Sequence, residues 1–355
     1  MLFVVVGTSI ADNPNIAAET VSARQKQPPL NLAILIFNGV QIIDYTGPYE
    51  TFGHAYSNEG PLFNIYTVAP RNKSITTTMG MSVNPKYSFG NVPKPDVLVI
   101  PGGDIREELN DRNLIRWIQD SAKNTVVTMS VCNGAFFLAK AGLLDGLEAT
   151  TTFGLISKLR QAAPRANVVD NKRYVDNGVI VTAAGLSSGI DCSLHIIERL
   201  FGRGTAQMAA LGMEYDWDPN SQFVRAALAD KYMQFDYDAK FDRGGWKPLN
   251  REGTRDYWEN RWAVTTSSSA SELLESINKT IANDKRSFGP SPAKWNQLKS
   301  ESNKEAGQSF WKFTDENGED WTGVVRVESS AERANQFTLT VKVARGSATP
   351  KPPDA

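Results

Sequence analysis

Cysteine and histidine are scarce in this chain of 355 residues: Cys132, Cys192, His54 and His195 are all there are. Two cysteines cannot build a disulfide framework or a cysteine-based zinc site, and two histidines are too few for a multi-histidine metal centre. Charge of one sign is missing as well. Lys+Arg is 38 against Asp+Glu 39, a formal net charge of -1, which leaves no electrostatic footprint for nucleic acid or for an anionic membrane surface. No apolar run reaches the roughly 18 residues that a spanning helix needs. With 41% apolar and 22% charged residues, a packed core rather than disorder is expected, and the length suits two domains. Any chemistry here must work with few histidines and a cysteine.

Residues 1–11 (MLFVVVGTSIA) join a short apolar run to small residues that would suit a signal-peptidase site. No Lys or Arg precedes the run, and it is shorter than the usual apolar region of such signals. Residues 1–30 therefore read as a tail or a degraded export signal. A cytoplasmic location is slightly favoured, with export left open.

From Leu32 the pattern changes. Leu32–Phe37 is a continuous apolar run ended by Asn38-Gly39, the mark of a strand buried on both faces. Similar runs recur at Phe63–Ala69, Val97–Ile100, Val126–Val131 and Val179–Ala183. Helical patterns at Pro48–Tyr56, Glu107–Ala122, Gly134–Ala141, Leu155–Gln161 and Ser187–Phe201 separate or follow them. Strands alternating with helices predict an α/β fold, a parallel sheet sandwiched by helices, with its site beyond the carboxyl ends of the strands. The alternation stops at the turn-rich stretch Tyr215–Gln222. Beyond it come most of the tryptophans, a helix pattern over Ala270–Asn283, and three alternating segments. These are Phe310–Thr314, Trp321–Val327 and Gln336–Val343, the first two joined by a hairpin turn at Glu316-Asn317-Gly318. Residues 224–345 thus form a small additional C-terminal α+β domain of unknown role, and 346–355 a Pro-rich tail.

Three stretches could carry chemistry. Cys132 stands between a buried strand and a helix, and Gly134-Ala135 lets the chain turn tightly there. A side chain on such a turn projects clear of the sheet, beside free helix N–H groups that favour a thiolate. The bland alternative is an inert, buried cysteine. Pro101-Gly102-Gly103-Asp104 follows the strand ending at Ile100; it is either a tight turn or a source of backbone N–H groups for an oxyanion hole. Asp44 in Asp44-Tyr45-Thr46-Gly47-Pro48 is either a helix N-cap ahead of Pro48 or, beside a thiolate, a proton shuttle.

Asp44-x-x-Gly47-Pro48, Pro101-Gly102-Gly103 and Cys132-x-Gly134-Ala135, in this order, resemble the ThiJ/PfpI superfamily, as do Leu138–Gly146 and Gly185-x-x-x-Gly189-Ile190-Asp191. Glu214-Tyr215-Asp216, ahead of Pro219 and Phe223, resembles the isocyanide hydratase branch. The resemblance covers residues 31–223 and implies a flavodoxin-like catalytic domain, commonly a homodimer, that needs no metal or organic cofactor. It implies Cys132 as nucleophile and Asp44 as its acid–base partner. Developing charge would fall to Gly103, with Gly102, and to the turn at Asn133. The implied reaction adds water to an isocyanide, giving an N-substituted formamide, and the only partner it requires is a small-molecule substrate.

Two departures stand out. Asn133 occupies a position that is commonly Thr in that branch, and Thr150-Thr151-Thr152-Phe153 lacks the histidine that related sequences often place there. The second argues against a Cys–His mechanism. His195 and Cys192 read as residues of an apolar helix, and His54 as a helix residue of undecided role. The competing readings are glyoxalase-like or deglycase-like chemistry on small aldehydes, and a non-catalytic binding protein. A regulator with helix-turn-helix units is disfavoured, because residues 224–355 show a meander and no basic recognition helix.

Overall fold

A computed structural model describes residues 28–221, 228–233, 245–283, 294–298, 307–315, 318–330, 333 and 335–346. The expected signal at 1–11, most of the tail 1–30, Phe223, the turn residues Glu316 and Asn317, and nearly all of the tail 346–355 lie outside the described residues. No described helix is long and apolar enough to cross a membrane. The chain divides into two compact units. One holds the described residues up to Leu143 together with Asp176–Trp217; the other holds Leu144–Val175 and the described residues from Asp218 onward. Leu144–Val175, which the sequence reading places inside one domain over 31–223, groups with the second unit.

The first unit is a flavodoxin-like α/β sandwich. Its sheet contains β1 (Leu30–Leu35), β2 (Phe63–Ala69), β3 (Tyr87–Ser88), β4 (Val97–Ile100), β5 (Val127–Val131), β6 (Tyr174–Asp176, of which Asp176 belongs to this unit) and β7 (Ile180–Ala183). They lie in the order β6-β7-β5-β4-β1-β2-β3, and the pairings of β7 with β5, β5 with β4, β4 with β1, β1 with β2 and β2 with β3 are parallel. Strands β4 and β5 are buried at every residue, because helices cover both faces of a parallel sheet. Helices α1 (Ile42–Gly53), α4 (Ser187–Phe201) and α5 (Arg203–Gly212) pack together, and α2 (Arg112–Ala122) packs with α3 (Ala135–Lys140).

Two helices differ from the sequence expectation, each for a local reason. The chain enters α1 six residues before Pro48, which sits inside the helix, and Gln41 rather than Asp44 is the N-cap. The Gln41 N–H donates to Gly102 O (2.8 Å), so a tertiary bond to the loop after β4 sets the start of α1. Asp44 is left in the first helical turn, facing inward. The run 107–122 is broken at Asp111, whose carboxylate caps α2 through the N–H groups of Asn113 (2.8 Å) and Leu114 (3.3 Å).

The second unit contains an antiparallel sheet larger than the expected three-strand meander. Its strands β8 (Trp246–Gly253), β9 (Tyr257–Thr265), β10 (Asn296–Gln297), β11 (Gln308–Thr314), β12 (Asp320–Ser329) and β13 (Gln336–Arg345) lie in the order β8-β9-β13-β12-β11-β10. Strand β8 escapes a period-two reading because Pro248 and a register shift between Pro248 and Asn250 interrupt it. Helix α6 (Ala270–Ala282) opens with a capping box of Ser269 and Glu272 and buries Leu273, Ile277 and Ile281. The core is aromatic: Trp295 stacks on Phe313 at 4.9 Å between centroids, and Phe313 on Trp321 at 5.9 Å. Asp315 Oδ2 accepts hydrogen bonds from the Tyr232 hydroxyl (3.1 Å) and Trp321 Nε1 (2.9 Å), which satisfies those two polar tips.

Gly323 is the flat bed of this ladder, since a Cβ there would lie 2.3 Å from the Trp295 ring. Gly323→Ala is expected to destabilise the unit by about 1–3 kcal/mol, the usual cost of overpacking a core. Urea unfolding followed by tryptophan fluorescence reads the loss, and an unchanged midpoint would refute this account of the packing.

Candidate active site

The candidate residues gather at the carboxyl ends of four neighbouring strands, β7, β5, β4 and β1. Strand β5 runs directly into Cys132, which takes φ = +58° and begins a single 3-10 turn, Cys132–Gly134, leading into α3. A non-glycine residue in this region is strained and persists only where its surroundings fix it. They do so by close packing. A Cβ on Gly134 would lie 2.2 Å from the Ile100 carbonyl oxygen, so the turn rests on the end of β4. On the other side a Cβ on Gly185 (φ +135°) would stand 3.3 Å from Cys132 Sγ. Cys132 itself is half-buried.

Asp44 is fully buried. Its Oδ2 accepts a hydrogen bond from the Gly102 N–H (3.2 Å) and its Oδ1 one from the Leu186 N–H (3.0 Å). The Cys132 side chain is a third partner. Burial raises the Asp44 pKa from the ordinary 3.8 to about 6, against the lowering effect of the two backbone N–H groups and the thiol. A carboxyl group poised near neutrality beside a cysteine can both take and return a proton.

The residue after the cysteine makes a two-point contact. Asn133 Oδ1 accepts from the Gly103 N–H (2.8 Å), and Asn133 Nδ2 donates to Gly103 O (2.8 Å). A carboxamide carries a donor and an acceptor side by side, so it pairs with Gly103 as a neighbouring peptide would. This revises the expectation for the oxyanion donors: Gly102 N–H is engaged by Asp44 and Gly103 N–H by Asn133. Side chains already satisfy the donors that a bare Gly-Gly turn would offer to substrate.

Leu186 is the site residue that the sequence reading missed. It is 48% exposed with φ = +49°, and its N–H holds Asp44. Its signal was positional: Gly185-Leu186 follows β7 as Gly102-Gly103 follows β4. The remaining scarce residues are held elsewhere. His54 Nδ1 bonds to Glu50 O (2.9 Å), and His195 Nε2 to Asp176 (2.8 Å), which also pairs with Arg199. Cys192 is fully buried, and burial raises its pKa well above the ordinary thiol range. Among the described residues, no cluster of three or more His, Cys, Asp or Glu side chains could hold a metal ion.

Residues 31–199 match the model of the DJ-1/PfpI family. The isonitrile hydratase of Pseudomonas putida is 31% identical over 188 residues, which make up 52% of this chain and 78% of that protein. The transcriptional regulator GbdR of Pseudomonas aeruginosa, of the helix-turn-helix type, is 24% identical over 180 residues, 50% of this chain and 49% of the regulator. Among solved structures, a ThiJ/PfpI family protein from Pseudomonas syringae is 28% identical, with a TM-score of 0.49, covering 55% of this chain and 78% of that one. Drosophila melanogaster DJ-1beta is 18% identical with a TM-score of 0.47, over 53% and 99% of the two chains. With an identity of 31% across more than two thirds of the hydratase, the chain belongs to the DJ-1/PfpI family.

Proposed function

We propose that this protein is a Cys132-dependent hydratase that adds water to an isocyanide and releases an N-substituted formamide. The observation that carries the reading is the buried Asp44 carboxyl, poised at about 6 and in contact with the Cys132 side chain. Its similarity to an isonitrile hydratase supports the same reaction. The thiol proton passes to Asp44, and the thiolate attacks the terminal carbon of the isocyanide. Asp44 returns the proton to that carbon, leaving a thioimidate on Cys132. Water, deprotonated by Asp44, adds to the same carbon, and Asp44 passes that proton to the nitrogen. The S–C bond then breaks, the hydroxyl proton of the adduct passes through Asp44 to the departing sulfur, and the N-substituted formamide leaves. Atoms and electrons balance with no further reagent. In keeping with the resemblance, we also propose a homodimer. The relatives of the regulator type make a sensor role the competing reading, but the described part of residues 224–345 is built around an antiparallel sheet rather than paired DNA-binding helices.

Formamide production from a simple aryl or alkyl isocyanide tests the reading. Cys132→Ala is expected to abolish turnover and Asp44→Asn to lower it at least a hundredfold. An inactive, folded wild type across several isocyanides would sink the assignment.

The pH dependence has two signs. Activity requires the carboxylate to accept the thiol proton, so kcat/KM is expected to fall below about pH 6, about tenfold per unit. Stability runs the other way, because the raised pKa means that the fold favours protonated Asp44. This contribution is fully present below the unfolded value of 3.8 and is lost as pH rises through about 6. The rise from 3.8 to about 6 amounts to about 3 kcal/mol. Asp44→Asn should abolish that part of the decline in urea unfolding between about pH 4 and about pH 8. A parallel decline in both proteins would show that Asp44 does not carry it.

A further inference from the structure

The loop that would stabilise an oxyanion is closed from inside the protein. The Gly103 peptide is bonded through both its N–H and its C=O to one side chain, Asn133, each bond 2.8 Å long. The loop has no freedom to turn away from that partner. The Asp104 N–H donates to Gly39 O (2.8 Å) and the Gln41 N–H to Gly102 O (2.8 Å). A Cβ on Gly103 would lie 2.1 Å from the Gly39 carbonyl oxygen. Asn133 is equally confined, because its Oδ1 lies 2.0 Å from where a Cβ on Gly102 would stand. The neighbouring Gly102 N–H belongs to Asp44.

We propose that Asn133 is a specificity-determining residue, whose carboxamide occupies the hydrogen-bonding position at Gly103 that the oxygen of a carbonyl electrophile would need. It thereby biases Cys132 toward electrophiles that react without forming an oxyanion. The proposal deepens the hydratase reading and rests on it. The chemistry of the two additions explains the bias. When a thiolate adds to an aldehyde, the S–C bond forms, the π pair moves to oxygen, and that alkoxide must be held by donors until the thiol's proton reaches it. When a thiolate adds to an isocyanide, the S–C bond forms at the terminal carbon and the electron pair stays on that carbon, where a proton from Asp44 quenches it. No oxygen carries charge in this first step. A buried acid is needed, and an open Gly103 N–H is not.

The test uses the full chain as wild type, Asn133→Ala and Asn133→Thr. Propanal is titrated as a reversible ligand of Cys132, and its affinity is read from the protection of Cys132 against alkylation by iodoacetamide. Buried Cys192 serves as the internal reference. The freed N–H is expected to tighten propanal binding about tenfold in at least one variant, the worth of one neutral hydrogen bond. The alkylation rate without aldehyde should change much less, which separates an opened donor from a general loosening of the site. Less than threefold tightening in both folded variants would overturn the proposal, as would wild-type affinity equal to theirs. Formamide production by the wild type, measured in parallel, keeps the two ideas apart. Its absence would remove the hydratase reading and leave the propanal comparison to judge Asn133.

Discussion

A carboxyl group shut away from water holds the site together. Asp44 comes from the first turn of α1, yet its oxygens take N–H groups from the loop after β4 and the loop after β7, and its third partner is the side chain at the end of β5. Burying a carboxylate is costly unless donors compensate, and here the compensation is partial. Two peptide N–H groups and a thiol leave the pKa near 6 rather than near 4. With more donors the group would be a fixed anion, and with fewer it would stay protonated. The intermediate value comes from the position of two glycine-containing loops.

Those loops stand where they do because backbones touch. Gly134 lies against the Ile100 carbonyl, Gly185 against Cys132, and Gly103 against Gly39. The contacts at Gly134 and Gly103 leave no room for a Cβ, the one at Gly185 is tight, and beside them Cys132 and Leu186 take positive φ. The parallel sheet supplies the rigid base for this arrangement. Four adjacent strands end at one edge, in the crevice where open α/β sheets place their ligands. Strain at the cysteine is therefore carried by a scaffold whose central strands β4 and β5 are wholly buried.

The second unit follows different rules. An aromatic ladder on an antiparallel sheet, with Asp315 accepting from Tyr232 and Trp321, gives it a core of its own. The family match ends at residue 199, so kinship informs the first unit's sheet and elbow but not this sheet. Leu144–Val175 falls within the matched stretch and yet groups with the second unit. Continuity along the chain is thus a poor guide to the division of this molecule.

The strands at Phe63–Ala69 and Val97–Ile100, and the helix at Ser187–Phe201, were legible to the residue: Val97–Ile100 is an unbroken apolar run buried throughout, Phe63–Ala69 is a mainly apolar, β-prone run, and the helix shows its amphipathic period. The turn at Cys132 was legible too, since a strand, a reactive side chain and a glycine are contiguous in the chain. The start of α1 was not, because a bond from Gln41 to Gly102 sets it, and β8 was hidden by its proline and its register shift. By itself the sequence determined the α/β class, the elbow and the presence of Asp44, Gly102 and Gly103 at one end of the sheet. Only the tertiary structure decided what those groups bond to. Leu186 reaches Asp44 across 142 residues, Gly102 reaches it across 58, and Asn133 reaches Gly103 across 30. Local propensity acts over a few residues along the chain. A hydrogen bond acts over about three ångströms in space, and only the folded sheet brings these partners within that range.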